Sequence, residues 1–200
     1  MMRLLLVRHG ESEWNAARRL QGQADIALSE RGCEQARRLR PVVEGLAPDR
    51  ALSSDLRRAA DTARLLGAEP LALTADLREI DVGAWTGESI ADIVAREPEA
   101  YAGWRAGVHA PERGESWAVF RARAARAVEA EAAAGGRSLL VVCHGGVIRA
   151  LLEHFLDLSP SRIIPVGPAS LTTLRLSPRG AARLELFNFT AGLPELAAPD

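Results

Sequence analysis

Two short apolar runs constrain this chain more than anything else in it. Residues 4–7 (LLLV) and 139–143 (LLVVC) show no alternation of polar and apolar side chains, and both are too short for a core helix. A strand with one wet face alternates, whereas an unbroken run of this length is buried on both faces, as in the interior of a parallel sheet covered by helices. Both runs also end in the same way. Arg8-His9-Gly10 follows the first and His144-Gly145-Gly146 the second.

The remaining pattern fits around such a sheet. From Ser29 to Leu46, the residues Cys33, Ala36, Leu39, Val43 and Leu46 recur at helical spacing, and Glu30 sits in the first turn where the helix dipole favours it. Pro41 predicts a kink or a division of that helix. Ala51-Leu52 reads as a second strand, with Ser53, Ser54 and Asp55 as candidate caps for a helix that runs through Leu66 and stops at Gly67. A third strand covers 71–73. Residues 89–134 read as helical, broken at Pro98 and between Gly107 and Gly114, and Trp117, Phe120, Ala124 and Val128 form one apolar stripe. A helix follows His144. Residues 171–176 and 182–187 then alternate leucine with polar residues around Ser177-Pro178-Arg179-Gly180, the pattern of a hairpin.

The sum is an α/β fold: a mostly parallel central sheet flanked by helices on both faces, with an antiparallel edge strand late in the chain. With 200 residues and 48% hydrophobic content, one domain spanning 1–200 is expected, with a loosely ordered tail over about 191–200. A formal net charge of -1 gives no general field for nucleic acid or an anionic membrane, so neither is an expected partner. Arg8, His9 and Glu11 interrupt the apolar start before a signal-peptide core of about 7–15 residues can form. A cytoplasmic location is the expectation, with Cys33 and Cys143 as free thiols. Monomer and homodimer are both open.

Ligands of open α/β sheets bind beyond the carboxyl ends of the strands. Arg8 and His9 end one strand, His144 ends another, and Arg58 opens the helix after a third. Three strand ends therefore bring two imidazoles and two guanidiniums to one sheet edge, a concentrated anion site in a protein of near-zero net charge. The four histidines contain no HExxH-type pair, and neither a metal nor a cofactor is expected.

Four segments in series, LLVRHGESEWN, SSDLRRAADTA, LREIDVGAWTG and VVCHGGVIRALL, resemble the histidine phosphatase superfamily in its phosphoglycerate mutase-like branch. The resemblance runs from Arg3 to about Asn188. It implies that His9 is the nucleophile that accepts the phosphoryl group on nitrogen and that Glu79 is the proton donor. Arg8, Arg58 and His144 are implied around the phosphate, with Asn15, Gln21, Gly22 and Gly145 as further phosphate or substrate contacts. The activity implied is metal-independent hydrolysis of a small-molecule phosphomonoester through a phosphohistidine. A cofactor-dependent phosphoglycerate mutase is the alternative, and a phosphate- or phosphoprotein-binding module is a third reading.

A nucleophilic imidazole has to be neutral. Arg8, Arg58 and a protonated His144 are expected to push the His9 ring below its ordinary value of about 6.5. Two rivals accompany these assignments. Asp81 competes with Glu79, and Arg57 competes with Arg58, since adjacent helix positions point about 100° apart and only one can face the anion. The segment His109 to Ser116 (HAPERGES) is the expected rim of the site, and Trp14, Trp85, Trp104 and Trp117 are expected to be packing residues.

Overall fold

The computed structural model describes residues 1–177 and 181–192. Six strands, β1 (Met2–Arg8), β2 (Arg50–Ser54), β3 (Leu71–Thr74), β4 (Ser138–Cys143), β5 (Ser170–Leu176) and β6 (Ala182–Thr190), form one sheet in the order β3-β2-β4-β1-β5-β6. The first four in that order are parallel. β5 runs antiparallel to β1, and β6 antiparallel to β5, so the late hairpin supplies the antiparallel edge. Its turn residues 178–180 and the end of the tail, 193–200, lie outside the described residues.

Seven α-helices complete the described chain: α1 (Glu13–Ala16), α2 (Glu30–Leu46), α3 (Arg57–Leu65), α4 (Ile90–Arg96), α5 (Pro98–Arg105), α6 (Trp117–Ala133) and α7 (Gly145–Leu156). Alternate residues of the two apolar runs serve opposite cores. Leu5, Val7, Leu140 and Val142 pack under Leu39 and Val43 of α2 and Ala59 and Ala63 of α3. Leu4, Leu6, Leu139, Val141 and Cys143 pack under Phe120, Ala124 and Val128 of α6 and Val147, Ile148 and Leu151 of α7. Each strand is thus buried on both faces, which is why its sequence does not alternate. No described helix is long and apolar enough to cross a membrane.

Two local expectations fail for visible reasons. Pro41 does not divide α2, which runs unbroken for 17 residues. The proline lies on the exposed face, as does Arg37 one turn earlier, so the carbonyl that loses its N–H partner can be hydrated. Helix α3 is not capped by Ser53, Ser54 or Asp55; its N-cap is Leu56, with no side-chain cap bond. Both serines instead belong to β2, and the first helical N–H, that of Arg57, donates to Asp25 Oδ1 at 2.7 Å.

Register positions the site. In the β1–β4 ladder Arg8 pairs with Cys143, so both His-Gly pairs leave the sheet at the same height, and the His9 N–H donates to the Cys143 carbonyl at 3.0 Å. The two imidazole centroids are 5.1 Å apart, inclined at 64°.

Candidate active site

The His9 side chain is buried at the end of β1. Its Nδ1 lies 2.6 Å from the Gly10 carbonyl oxygen, which can only accept, so Nδ1 carries the proton and Nε2 of the neutral ring holds a lone pair. Burial first, then the charges of Arg58 and Arg8, hold the ring well below its ordinary value. Gly10 is required for this turn: a Cβ there would stand 2.3 Å from the Gly32 carbonyl oxygen at the start of α2. Thr62 ties the turn to α3, accepting from the Gly10 N–H at 3.0 Å and donating to the Arg58 carbonyl at 2.6 Å.

Both guanidiniums are braced by main-chain carbonyls. Arg8 Nη1 donates to Val166 O at 2.5 Å, and Arg58 donates through Nη1 to Ala24 O and through Nη2 to Gly22 O at 2.7 and 2.8 Å. Arg58 is 1% exposed, and burial brings its pKa down to about 10. Its Nε has no hydrogen-bond partner among the described residues. Arg57 is exposed, so α3 presents Arg58 to the site. Ser12 fixes the next layer: its backbone N–H donates to Asn15 Oδ1 at 3.1 Å and its hydroxyl donates to Gln21 Oε1 at 2.7 Å. With the amide oxygens engaged, the other polar group of each side chain is a donor, the type that a phosphate oxygen takes.

Glu79 reaches the site from the loop after β3. Its Oε2 accepts from the Gly146 N–H and its Oε1 from its neighbour's Ile80 N–H, each at 3.0 Å. Asp81 does not line the cleft; its Oδ1 caps the Gly83 N–H at 2.9 Å. Arg123 of α6 anchors the Glu79 loop, donating to the carbonyls of Asp76, Arg78 and Glu79 at 2.7–2.9 Å while paired with Glu115 at 2.8 Å.

His144 corrects one expectation. Burial, together with Arg58, His9 and Arg8, holds its ring well below the ordinary value, so it is neutral rather than a third cation. Its Nε2 sits 2.9 Å from Ser54 Oγ, which explains why that serine ends a strand instead of capping a helix.

These two neutral rings make stability fall in mild acid. The unfolded chain takes up their protons below pH 6.5 and the native state excludes them, so the contribution is intact above 6.5. It declines below 6.5 by about 1.4 kcal/mol per pH unit for each ring, until the depressed native value is reached. Urea unfolding at pH 7.5, 6.5 and 5.5 should show most of the loss in the last interval. A flat profile would mean that the native rings accept protons.

Arg8, His9, Asn15, Gln21, Gly22, Arg58, Glu79 and Gly145 all line one cleft, with His144 immediately behind His9. The expected rim is misplaced. Nothing from His109 to Ser116 lines the cleft; His109 is exposed against Trp85 at 6.0 Å, and Glu115 is committed to Arg123. The outer wall is built instead from Trp104, Trp117, Arg149 and Pro165. Trp104 and Trp117, expected as packing residues, are therefore cleft residues as well. For Arg149 the available signal was its isolation as a charge in the apolar helix sequence GGVIRALL.

A neutral, buried imidazole flanked by guanidiniums at the carboxyl edge of a mostly parallel sheet is an α/β arrangement whose chemistry suits a tetrahedral oxyanion. The family model described as histidine phosphatase superfamily (branch 1) matches residues 4–190, and the chain belongs to that superfamily. The glucosyl-3-phosphoglycerate phosphatase of Mycolicibacterium vanbaalenii is 38% identical over 168 residues, covering 78% of this chain and 75% of that protein. The adenosylcobalamin/alpha-ribazole phosphatase of Salmonella typhimurium is 35% identical over 163 residues, covering 78% and 81%. The solved structure of a mycobacterial glucosyl-3-phosphoglycerate phosphatase complexed with VO3 has a TM-score of 0.86 at 36% identity, covering 94% of this chain and 99% of that one.

Proposed function

We propose that this protein hydrolyses small-molecule phosphomonoesters through a phosphohistidine on His9 Nε2, without a metal ion. The observation that carries this reading is the bond from His9 Nδ1 to the Gly10 carbonyl, which fixes the tautomer and leaves Nε2 as the nitrogen with a lone pair in a ring that burial keeps uncharged. Phosphatase relatives from two substrate classes support the activity.

In the first step the Nε2 lone pair attacks phosphorus and the bond from phosphorus to the ester oxygen breaks. A protonated Glu79 delivers its proton to the departing alkoxide. In the second step the Glu79 carboxylate takes a proton from water as that water attacks phosphorus, the P–N bond breaks, and the neutral ring and inorganic phosphate are released. Arg8, Arg58 and the donors of Asn15 and Gln21 meet the non-bridging oxygens, where positioning and charge neutralisation dominate phosphoryl transfer. The two fixed guanidiniums take the electrostatic part that a divalent cation plays in other phosphatases.

Rapid acid-free quenching of the protein with 32P-labelled phosphomonoester in excess EDTA tests both parts. The expected product is one acid-labile, base-stable phosphoryl group per chain. No label, or label that appears only after a divalent ion is restored, would sink the corresponding half of the reading.

A further inference from the structure

Both imidazoles of the site are neutral, so each carries a single N–H, and the nitrogen that carries it decides what the ring can do. At His144 that choice falls to Ser54. This serine ends β2, is fully buried, and stands beside the His144 turn because Ser53 pairs with Val142 in the β2–β4 ladder. Its Oγ accepts from the Leu56 N–H at 3.3 Å and lies 2.9 Å from His144 Nε2. Among the described residues no other acceptor takes the hydroxyl's one proton, and His144 Nδ1 is buried with no hydrogen-bond partner.

Counting protons selects the tautomer. With the hydrogen on Nε2, Ser54 would accept it, and both the Ser54 proton and the Nδ1 lone pair would be left unpaired in the interior. With the hydrogen on Nδ1, Ser54 donates to the Nε2 lone pair, and one group alone is left over, the Nδ1–H. Every buried polar group without a partner is costly, so the second arrangement holds. The leftover donor belongs to a ring 5.1 Å from His9 that feels the charges of Arg58 and Arg8. We infer that Ser54 is a positioning residue that locks His144 as its Nδ1–H tautomer, so that this N–H donates to a non-bridging oxygen of the phosphoryl group on His9. The two rings then use the same tautomer in opposite ways. His9 commits its Nδ1–H to Gly10 and keeps a lone pair for attack, whereas His144 commits its lone pair to Ser54 and keeps a donor for the charge on the phosphoryl oxygens. This deepens the proposed phosphatase reading and rests on its placement of the phosphoryl group.

Two-bond 1H–15N correlation spectra of the protein labelled with 15N-histidine read the tautomer of each of its four rings, with His144 assigned by its absence from His144→Gln. Near neutral pH the wild-type His144 should be the Nδ1–H form, and its Nδ1 proton should move downfield when inorganic phosphate saturates the site. An Nε2–H ring, or an Nδ1 proton that saturating phosphate leaves unmoved, would overturn the inference, and this arm needs no Ser54 variant to fold. Ser54→Ala should give a mixture of tautomers and lower kcat on p-nitrophenyl phosphate at least about tenfold, a part of the 10²–10³-fold that a lost oxyanion donor costs. Ser54→Thr, which keeps the hydroxyl, should recover the single tautomer and most of the rate. A fall in kcat with the tautomer unchanged in Ser54→Ala marks a purely structural role and overturns the inference, as does a wild-type rate with mixed tautomers. Wild-type turnover keeps the two readings apart. An Nδ1–H ring that responds to phosphate in a protein that hydrolyses no phosphomonoester defeats the phosphatase proposal and leaves Ser54 in its role; turnover with an Nε2–H ring does the reverse.

Discussion

Replacing His9 with alanine should lower kcat for phosphomonoester hydrolysis by at least about 10⁴-fold and remove the acid-labile phosphoenzyme altogether. The size follows from what the side chain is asked to do. A nucleophile that forms the covalent intermediate acts as a unit with its surroundings, and removing it leaves only the rate enhancement of a binding pocket. The remaining pocket is substantial here, because Arg8, Arg58 and the Ser12-held amides take their positions from main-chain carbonyls and from one another rather than from His9. His9→Ala should therefore still bind vanadate or phosphate, with the chemistry gone and the anion site intact. Residual turnover within about a hundredfold of wild type, with a phosphoenzyme still trapped, would place the nucleophile elsewhere. The neighbouring ring, His144, would then be the first suspect, 5.1 Å away but with its Nε2 already held by Ser54.

What the sequence disclosed and what it withheld divide along a physical line. The doubly buried runs 4–7 and 139–143 disclosed the sheet, since freedom from alternation has one common structural cause, and the His-Gly pairs at their ends marked the ligand edge. An arginine at the start of the helix after a strand end was legible from position, whereas the choice of Arg58 over Arg57, which begins α3, came from the resemblance in SSDLRRAADTA. The parts that were hidden depend on contacts between distant segments. Arg123 looked like one more arginine on the polar side of α6, but it holds three carbonyls of a loop some 45 positions earlier. Ser54 has the local appearance of a helix cap, and only the parallel register of β2 beside β4 places it against His144. The HAPERGES segment has the composition of a site loop. Its backbone instead packs on Gly83, where a Cβ would stand 2.2 Å from Glu112 O, and this holds the segment against the 81–85 turn and off the cleft.

The Gly146→Ala substitution isolates the role of Glu79 without altering any titrating group. Gly146 is the second residue of α7, where alanine has the better helix propensity by about 1 kcal/mol, so the helix itself should tolerate the change. A Cβ at this position, however, would stand 2.2 Å from Glu79 Oε1. That atom is the end of a flexible side chain, and the cheapest relief is for the carboxylate to swing away, breaking the 3.0 Å bond from the Gly146 N–H that aims it. Displacing a proton donor by about 1 Å costs on the order of 10²-fold in rate, within the 10²–10⁴-fold worth of general acid catalysis. The loss should appear differently with different esters. An alkyl phosphate needs the proton to break its P–O bond, so Gly146→Ala should phosphorylate itself slowly and show no burst. The leaving group of p-nitrophenyl phosphate departs without a proton. Its first step should stay fast while the water step, which still needs the Glu79 base, becomes limiting. The expected trace is a burst of about one p-nitrophenolate per chain followed by slow turnover, and Glu79→Gln should reproduce it. If both esters slow equally with no burst in either variant, Glu79 is not moving the proton, and Asp81, two residues along the same loop, becomes the group to replace.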